Sequence, residues 1–200
     1  MPALQTDRSR LNPSAIKRPT FAFMRVKLSR WIALGFGSGL APFSPGTFGT
    51  LFAWLSFLVI DSWLGKWSAH PGLVKVLQGS LLESLALATW AWPVILVVGL
   101  FLGVWACGRC GRDLGVSDHG SMVWDEVIAF WLVLWIANTP SQAGFSTQLA
   151  LFVLFRFFDI LKPPPISYYD TSLKGGWGVM IDDLIAAFYA LLALALWRAL

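Results

Sequence analysis

The sequence predicts an all-α fold: a polytopic membrane helix bundle of about five spans, with a Gly/Pro-rich loop before the first. Three observations carry this. Of the 200 residues, 56% are apolar and 13% charged, and the mean hydropathy is +0.65; a soluble domain is about a quarter charged and less than half apolar. Uncharged runs of membrane length recur, the cleanest from Ala86 to Ala106, and about 20 apolar residues cross a bilayer. Glycines 35, 37, 39, 46 and 49 and prolines 42 and 45 crowd one stretch, where such residues break helices into turns. The 12 Trp suit a membrane protein, because Trp is enriched at bilayer interfaces.

Residues 1–30 read as a basic, partly disordered cytoplasmic arm, and residues 31–200 as a single membrane-embedded domain. The net charge of +4 is unevenly spread: Arg8, Arg10, Lys17, Arg18, Arg25, Lys27 and Arg30 supply seven of the 15 basic residues. With so hydrophobic a remainder, the arm points to anionic lipid and not to nucleic acid. The first apolar run comes late and is broken by Gly and Pro, so no cleavable signal peptide is expected.

From Trp31 to Gly49 the chain reads WIALGFGSGLAPFSPGTFG. Thr47 is the expected N-cap of the first span, which runs through Ile60 towards Trp67. Glycine lets backbone N–H groups turn towards a ligand, and a helix N-terminus favours an anion. Gly37, Ser38, Gly39, Ser44, Gly46 and Thr47 are therefore candidate phosphate ligands, although the Gly-Lys-Ser/Thr ending of a nucleotide loop is absent. Asp61 to Leu85 reads as a loop with an interfacial amphipathic piece at Leu73, Leu77 and Leu81. His70 shows no chemistry.

The second span is Ala86–Ala106, with Pro93 able to kink it. A loop from Cys107 to Ser121 follows, carrying Arg109, Arg112, Asp113, Asp118 and His119. Cys107 and Cys110 form a C-x-x-C pair, but a zinc site needs two further ligands and only His70 and His119 are available as histidines. The third span is Met122–Asn138, followed by a short turn, Thr139–Thr147. The fourth, Gln148–Leu161, is stopped by Lys162-Pro163-Pro164-Pro165. A loop with Lys174 leads to the fifth span, Val179–Trp197.

With the N-terminus in the cytoplasm, eleven basic residues lie on that side, against Lys66 and Lys75 outside, which obeys the positive-inside rule. In this topology Asp125 and Glu126 begin span three, Asp159 ends span four, Asp182 and Asp183 begin span five, and the Gly/Pro loop begins span one. All fall at one depth on one side. Acids in a first helical turn are favoured by the macrodipole. Asp159 sits at a helix C-terminus, where the dipole opposes it, and needs a cation: Arg156, Lys162 or a bound metal. Doublets of carboxylates from several helices suit Mg2+, a hard cation that takes oxygen ligands. Asp125, Glu126, Asp159, Asp182 and Asp183 are thus candidate metal ligands and catalytic acids, Arg156 and Lys162 are candidate phosphate ligands, and Lys162 is a candidate catalytic residue as well. Together they suggest phosphoryl chemistry on a lipid headgroup. A cation-coupled transporter or channel is the rival, since intramembrane carboxylates also line ion pathways; clustering at one face and the lack of an internal repeat weigh against it. A non-catalytic scaffold leaves the carboxylates unexplained.

Four blocks, in order, resemble the phosphatidylglycerophosphatase A family of bacteria: GFGSGLAPFSPGTFGT, VWDE at Val123–Glu126, FRFFDILKPPPI at Phe155–Ile166, and GVMIDDLIA at Gly178–Ala186. The resemblance implies a Mg2+-dependent phosphatase of the bacterial inner membrane that converts phosphatidylglycerophosphate to phosphatidylglycerol and phosphate. Family members often have Gly where this chain has Ala129 and Ala187, small-for-small changes that bear on helix packing. The partners so implied are a phospholipid substrate and the membrane.

Overall fold

The computed structural model describes residues 18–68, 87–137, 144–164 and 175–199. The interfacial piece at Leu73–Leu81, His70, Lys75, Asp170, Lys174 and the start of the basic arm lie outside the described residues. Two short helices, α1 (Phe21–Met24) and α2 (Leu28–Ala33), lead into a 3-10 turn at Gly35–Leu40. Five longer helices follow: α3 (Pro45–Ser68), α4 (Leu87–Leu114), α5 (Trp124–Ala137), α6 (Phe145–Leu161) and α7 (Gly176–Ala199). No strand occurs among the described residues.

Three helices are long and apolar enough to cross a membrane, over Pro45–Leu64, Trp90–Leu114 and Gly176–Ala199. The other two expected spans are shorter. Helix α5 has 14 residues, about 21 Å at 1.5 Å per residue, well under the hydrocarbon thickness. It does not need to reach both faces, because it is the centre of the bundle: every residue from Ser121 to Trp131 is buried. Helices α3, α4, α6 and α7 all pack against it. A helix apolar nearly all round is one that other helices enclose.

Close packing is set by small residues on α4. A Cβ at Gly99 would lie 2.5 Å from Ile128 Cδ1 of α5, and one at Gly103 would lie 2.6 Å from Met180 Sδ of α7. Glycines four apart on one face let neighbouring backbones approach in a membrane bundle. Four indoles tie helices together. Trp131 Nε1 donates to Ala53 O at 2.9 Å, Trp124 Nε1 to Gly99 O at 3.0 Å, Trp54 Nε1 to Gln148 Oε1 at 2.6 Å and Trp92 Nε1 to Asp61 Oδ1 at 3.0 Å. These four Trp are buried, so interface anchoring accounts for only part of the Trp content. An indole N–H away from water takes an internal partner.

Several boundaries move. Helix α3 begins at Pro45, a residue suited to the first helical position because its missing N–H has no intrahelical partner to lose. Thr47 therefore sits inside the first turn and is not the cap. Helix α3 also continues to Ser68, so Asp61 is helical. Helix α4 runs two turns past Ala106 and carries Cys107, Arg109, Cys110, Arg112 and Asp113, which the sequence assigned to a loop. Both thiols are free and buried against the core. Pro93 lies within α4 near its start without ending it. Asp113 is the anchor of the N-terminal segment: its carboxylate meets Lys27 Nζ at 2.8 Å and Arg30 Nε at 2.9 Å, which holds α2 to α4.

Candidate active site

The first turn of α3, the start of α5, the end of α6 and the second turn of α7 meet at one end of the bundle. Asp125 and Glu126 lie in the first turn of α5, and Asp125 Oδ1 accepts from the backbone N–H of Glu126 at 3.0 Å. Asp182 and Asp183 lie one turn deeper in α7 than expected, because that helix starts at Gly176. The macrodipole therefore does less for them than for the α5 pair. All four acids are buried, at 4–9% exposure.

Arg156 is the pivot. Its Nη1 donates to Glu126 Oε1 at 2.9 Å and meets Asp159 Oδ2 at 2.7 Å. The cation that Asp159 requires at its helix end is thus Arg156, three residues back on the same face. Lys162 serves another acid: its Nζ lies 2.7 Å from Asp182 Oδ2. Lys162 caps α6 in the left-handed conformation, φ 42°, with its backbone N–H bonded to Phe158 O. Asp183 lies within electrostatic reach of Asp159, Asp125, Asp182 and Glu126, so the five acids share one region. Glu126 Oε2, Arg156 Nε and Asp183 Oδ2 are buried atoms with no hydrogen-bond partner. Such atoms are costly in a bundle core.

The Gly/Pro segment divides in two. Gly46 and Gly49 form a floor under Glu126 and Arg156. A Cβ at Gly46 would collide with Glu126 Oε1 and lie 2.9 Å from Arg156 Nη1, and one at Gly49 would lie 2.7 Å from Glu126 Oε2. The 3-10 turn with Gly37, Ser38 and Gly39 packs elsewhere, on the segment entering α5. Gly39 abuts the Ser121 carbonyl, and Val123 N donates to Ala33 O at 2.9 Å. The Ser38 hydroxyl is bonded to Gly35 O at 2.8 Å. Ser44 is exposed, with φ 41°, just before α3, and Thr47 is half-buried in the first turn.

Three neighbours of the site were not singled out from sequence: Gly49, Thr50 and Asp118. Thr50 is fully buried; its Oγ1 donates to Gly46 O at 3.0 Å and lies 3.5 Å from Arg156 Nη1. It lies four residues after Gly46, so helical spacing from that glycine points to it. Asp118 lies within electrostatic reach of both Asp125 and Glu126, and nothing in its local sequence marks this. Beside it, His119 accepts the Ser121 N–H at Nδ1, 3.1 Å away, and burial pushes its proton affinity below the ordinary value.

Acids and cations from separate helices thus gather at one end of an apolar bundle, the arrangement of a candidate intramembrane site. The chain belongs to the phosphatidylglycerophosphatase A family, whose model matches residues 31–198. It is 40% identical over 161 residues to a phosphatidylglycerophosphatase A of Haemophilus influenzae, covering 80% of this chain and 83% of that one. It is 37% identical over 165 residues to a phosphatidylglycerophosphatase A of Escherichia coli, covering 81% and 80%. A putative phosphatidylinositol-3-phosphatase of Bacteroides thetaiotaomicron is 34% identical over 183 residues, covering 92% and 98%. No solved structure matches significantly. Family membership makes the chain a phosphatase, and the transporter reading is set aside.

Gly46→Ala should lower phosphatase turnover at least about tenfold, the scale of a misplaced reacting group, because the new methyl displaces Glu126 and Arg156. Gly120→Ala, where a Cβ meets open space, should leave turnover unchanged. Steady-state kinetics on detergent-solubilised protein compares them; equal activity in the two variants would remove the floor from the account.

Proposed function

We propose that the chain hydrolyses the terminal phosphomonoester of phosphatidylglycerophosphate, giving phosphatidylglycerol and phosphate, with Mg2+, at the cytoplasmic face of the bacterial inner membrane. The observation that carries the reading is the Arg156 guanidinium shared by Glu126 of α5 and Asp159 of α6, next to the Lys162–Asp182 pair. The names of the Haemophilus influenzae and Escherichia coli relatives support the substrate.

The donor set fits Mg2+ by its chemistry. Glu126 Oε2 and Asp183 Oδ2 are buried oxygens without a hydrogen-bond partner, hard donors of the kind this ion takes. Among the described residues no three acids lie close enough to share an ion as placed; Glu126, Asp159 and Asp182 are turned towards Arg156 or Lys162. Asp125, Glu126, Asp159, Asp182 and Asp183 would hold the ion, some of them through water, since Mg2+ seldom sits in an all-protein cage. When bound, the ion polarises phosphoryl oxygens and activates water. Arg156 offers a planar fork to the phosphate and Lys162 a point charge, and both stabilise charge that grows on the transferring group. The first turn of α3, at Gly46 and Thr47, adds the positive end of a helix beside them.

Purified protein supplied with phosphatidylglycerophosphate in Mg2+ should release phosphate, and chelation should stop it. Asp159→Asn should lower release at least about a hundredfold, the scale of losing a group that acts in the transition state. Asp113→Asn, which loosens only α2, should retain most activity. Release from phosphatidylinositol 3-phosphate but not from phosphatidylglycerophosphate would instead place the chain with its Bacteroides relative. Full activity in Asp159→Asn would overturn the site.

Orientation has its own test. The basic asymmetry motivates a cytoplasmic N-terminus, so a reporter fused within residues 139–143 should read as periplasmic and one within 167–174 as cytoplasmic. The reverse pattern would separate the site from the cytoplasmic leaflet.

A further inference from the structure

We propose that Arg156 and Lys162 couple the two ligands of the site by exchanging partners. Both cations are held by acids that are themselves candidate ligands of a divalent cation. Divalent-cation binding therefore releases the guanidinium and the ammonium to the substrate's phosphate, and phosphate binding releases the acids. The inference rests on the Mg2+-dependent reading above and concerns the linkage between its two ligands.

The ion pairs carry the argument. Arg156 Nη1 lies 2.9 Å from Glu126 Oε1 and 2.7 Å from Asp159 Oδ2, and Lys162 Nζ lies 2.7 Å from Asp182 Oδ2. Three candidate metal ligands are thus engaged by the two candidate phosphate ligands. Five acids against two cations leave a formal charge of −3. A phosphomonoester dianion arriving alone meets net negative charge and cations already paired. A divalent cation arriving alone meets carboxylates already neutralised in part. Each ligand removes the obstacle to the other, so their binding is cooperative.

The Arg156–Glu126 pair is also left half-made. A guanidinium and a carboxylate can pair through two parallel hydrogen bonds. Here one bond forms, and Arg156 Nε and Glu126 Oε2 are both buried without a hydrogen-bond partner. Each member therefore keeps a buried atom for a second partner of opposite charge: an anion for the arginine, a cation for the glutamate. Gly46 and Gly49 lie directly against the Glu126 carboxylate, where any side chain would displace it.

The test measures binding, not turnover. Full-length protein in detergent is titrated with Mn2+, followed by its electron paramagnetic resonance signal, with and without inorganic phosphate. Phosphate binding is measured by calorimetry with and without Mn2+. Saturating phosphate should tighten Mn2+ binding about tenfold, and Mn2+ should tighten phosphate by the same factor, because coupling between two binding sites is reciprocal. In Arg156→Gln and in Lys162→Gln, Mn2+ without phosphate should bind at least as tightly as in the unaltered protein, and the coupling factor should fall at least about threefold, within the range of measured couplings. If Arg156→Gln does not fold, the more exposed Lys162 decides. Independent binding of Mn2+ and phosphate, or an undiminished coupling factor in the folded variants, would overturn the exchange while leaving the phosphatase reading intact. Failure of Mn2+ to bind at all would overturn both the exchange and the metal requirement.

Discussion

The buried Arg156 guanidinium, shared between Glu126 and Asp159, is the interaction on which the rest of the structure depends. Two unit charges about 4 Å apart attract by roughly 4 kcal/mol at an effective dielectric near 20. Removing one partner of a buried pair costs about 3–5 kcal/mol. Such a pair fixes which end of α6 lies beside which end of α5. The Lys162–Asp182 pair does the same for α6 and α7. With those ends fixed, the first turn of α3 can lie over Glu126 only because Gly46 and Gly49 have no side chains.

The apolar packing serves the same arrangement. Helix α5 is too short to span the bilayer and is buried from its first turn, with its acids, through Trp131, while α3, α4, α6 and α7 all pack against it. Gly99 and Gly103 bring α4 against α5 and α7. Buried indoles on α3, α4 and α5 then bond across the helix contacts, where a helix bundle in lipid has few other directional ties. Function and fold therefore share one constraint: charges placed where water does not reach need partners supplied by other helices.

Much of this was legible in the sequence. Composition alone fixed the class, and the misfit of Asp159 with its helix end called for a cation that the structure identifies as Arg156. Lys162 could not be assigned the same way. It stands as close in sequence to Asp159 as Arg156 does, yet its left-handed backbone at the end of α6 sends the side chain to Asp182. The role of Gly46 was also beyond sequence, since a glycine that frees backbone N–H groups and a glycine that makes room for a neighbour look alike until the neighbour is seen. The extra turns of α4 were hidden because Arg109, Arg112 and Asp113 read as a polar loop, although Asp113 is held in place by Lys27 and Arg30 from more than 80 residues away.

The central claim is that acids on α5 and α7 act in one site. A double-mutant cycle on phosphatidylglycerophosphate hydrolysis tests it most directly, using Glu126→Gln, Asp182→Asn and the pair together. Residues that act as a unit show strongly non-additive losses, so the double variant should be about as impaired as the worse single one. Losses that multiply, as expected for independent sites, would contradict a single site.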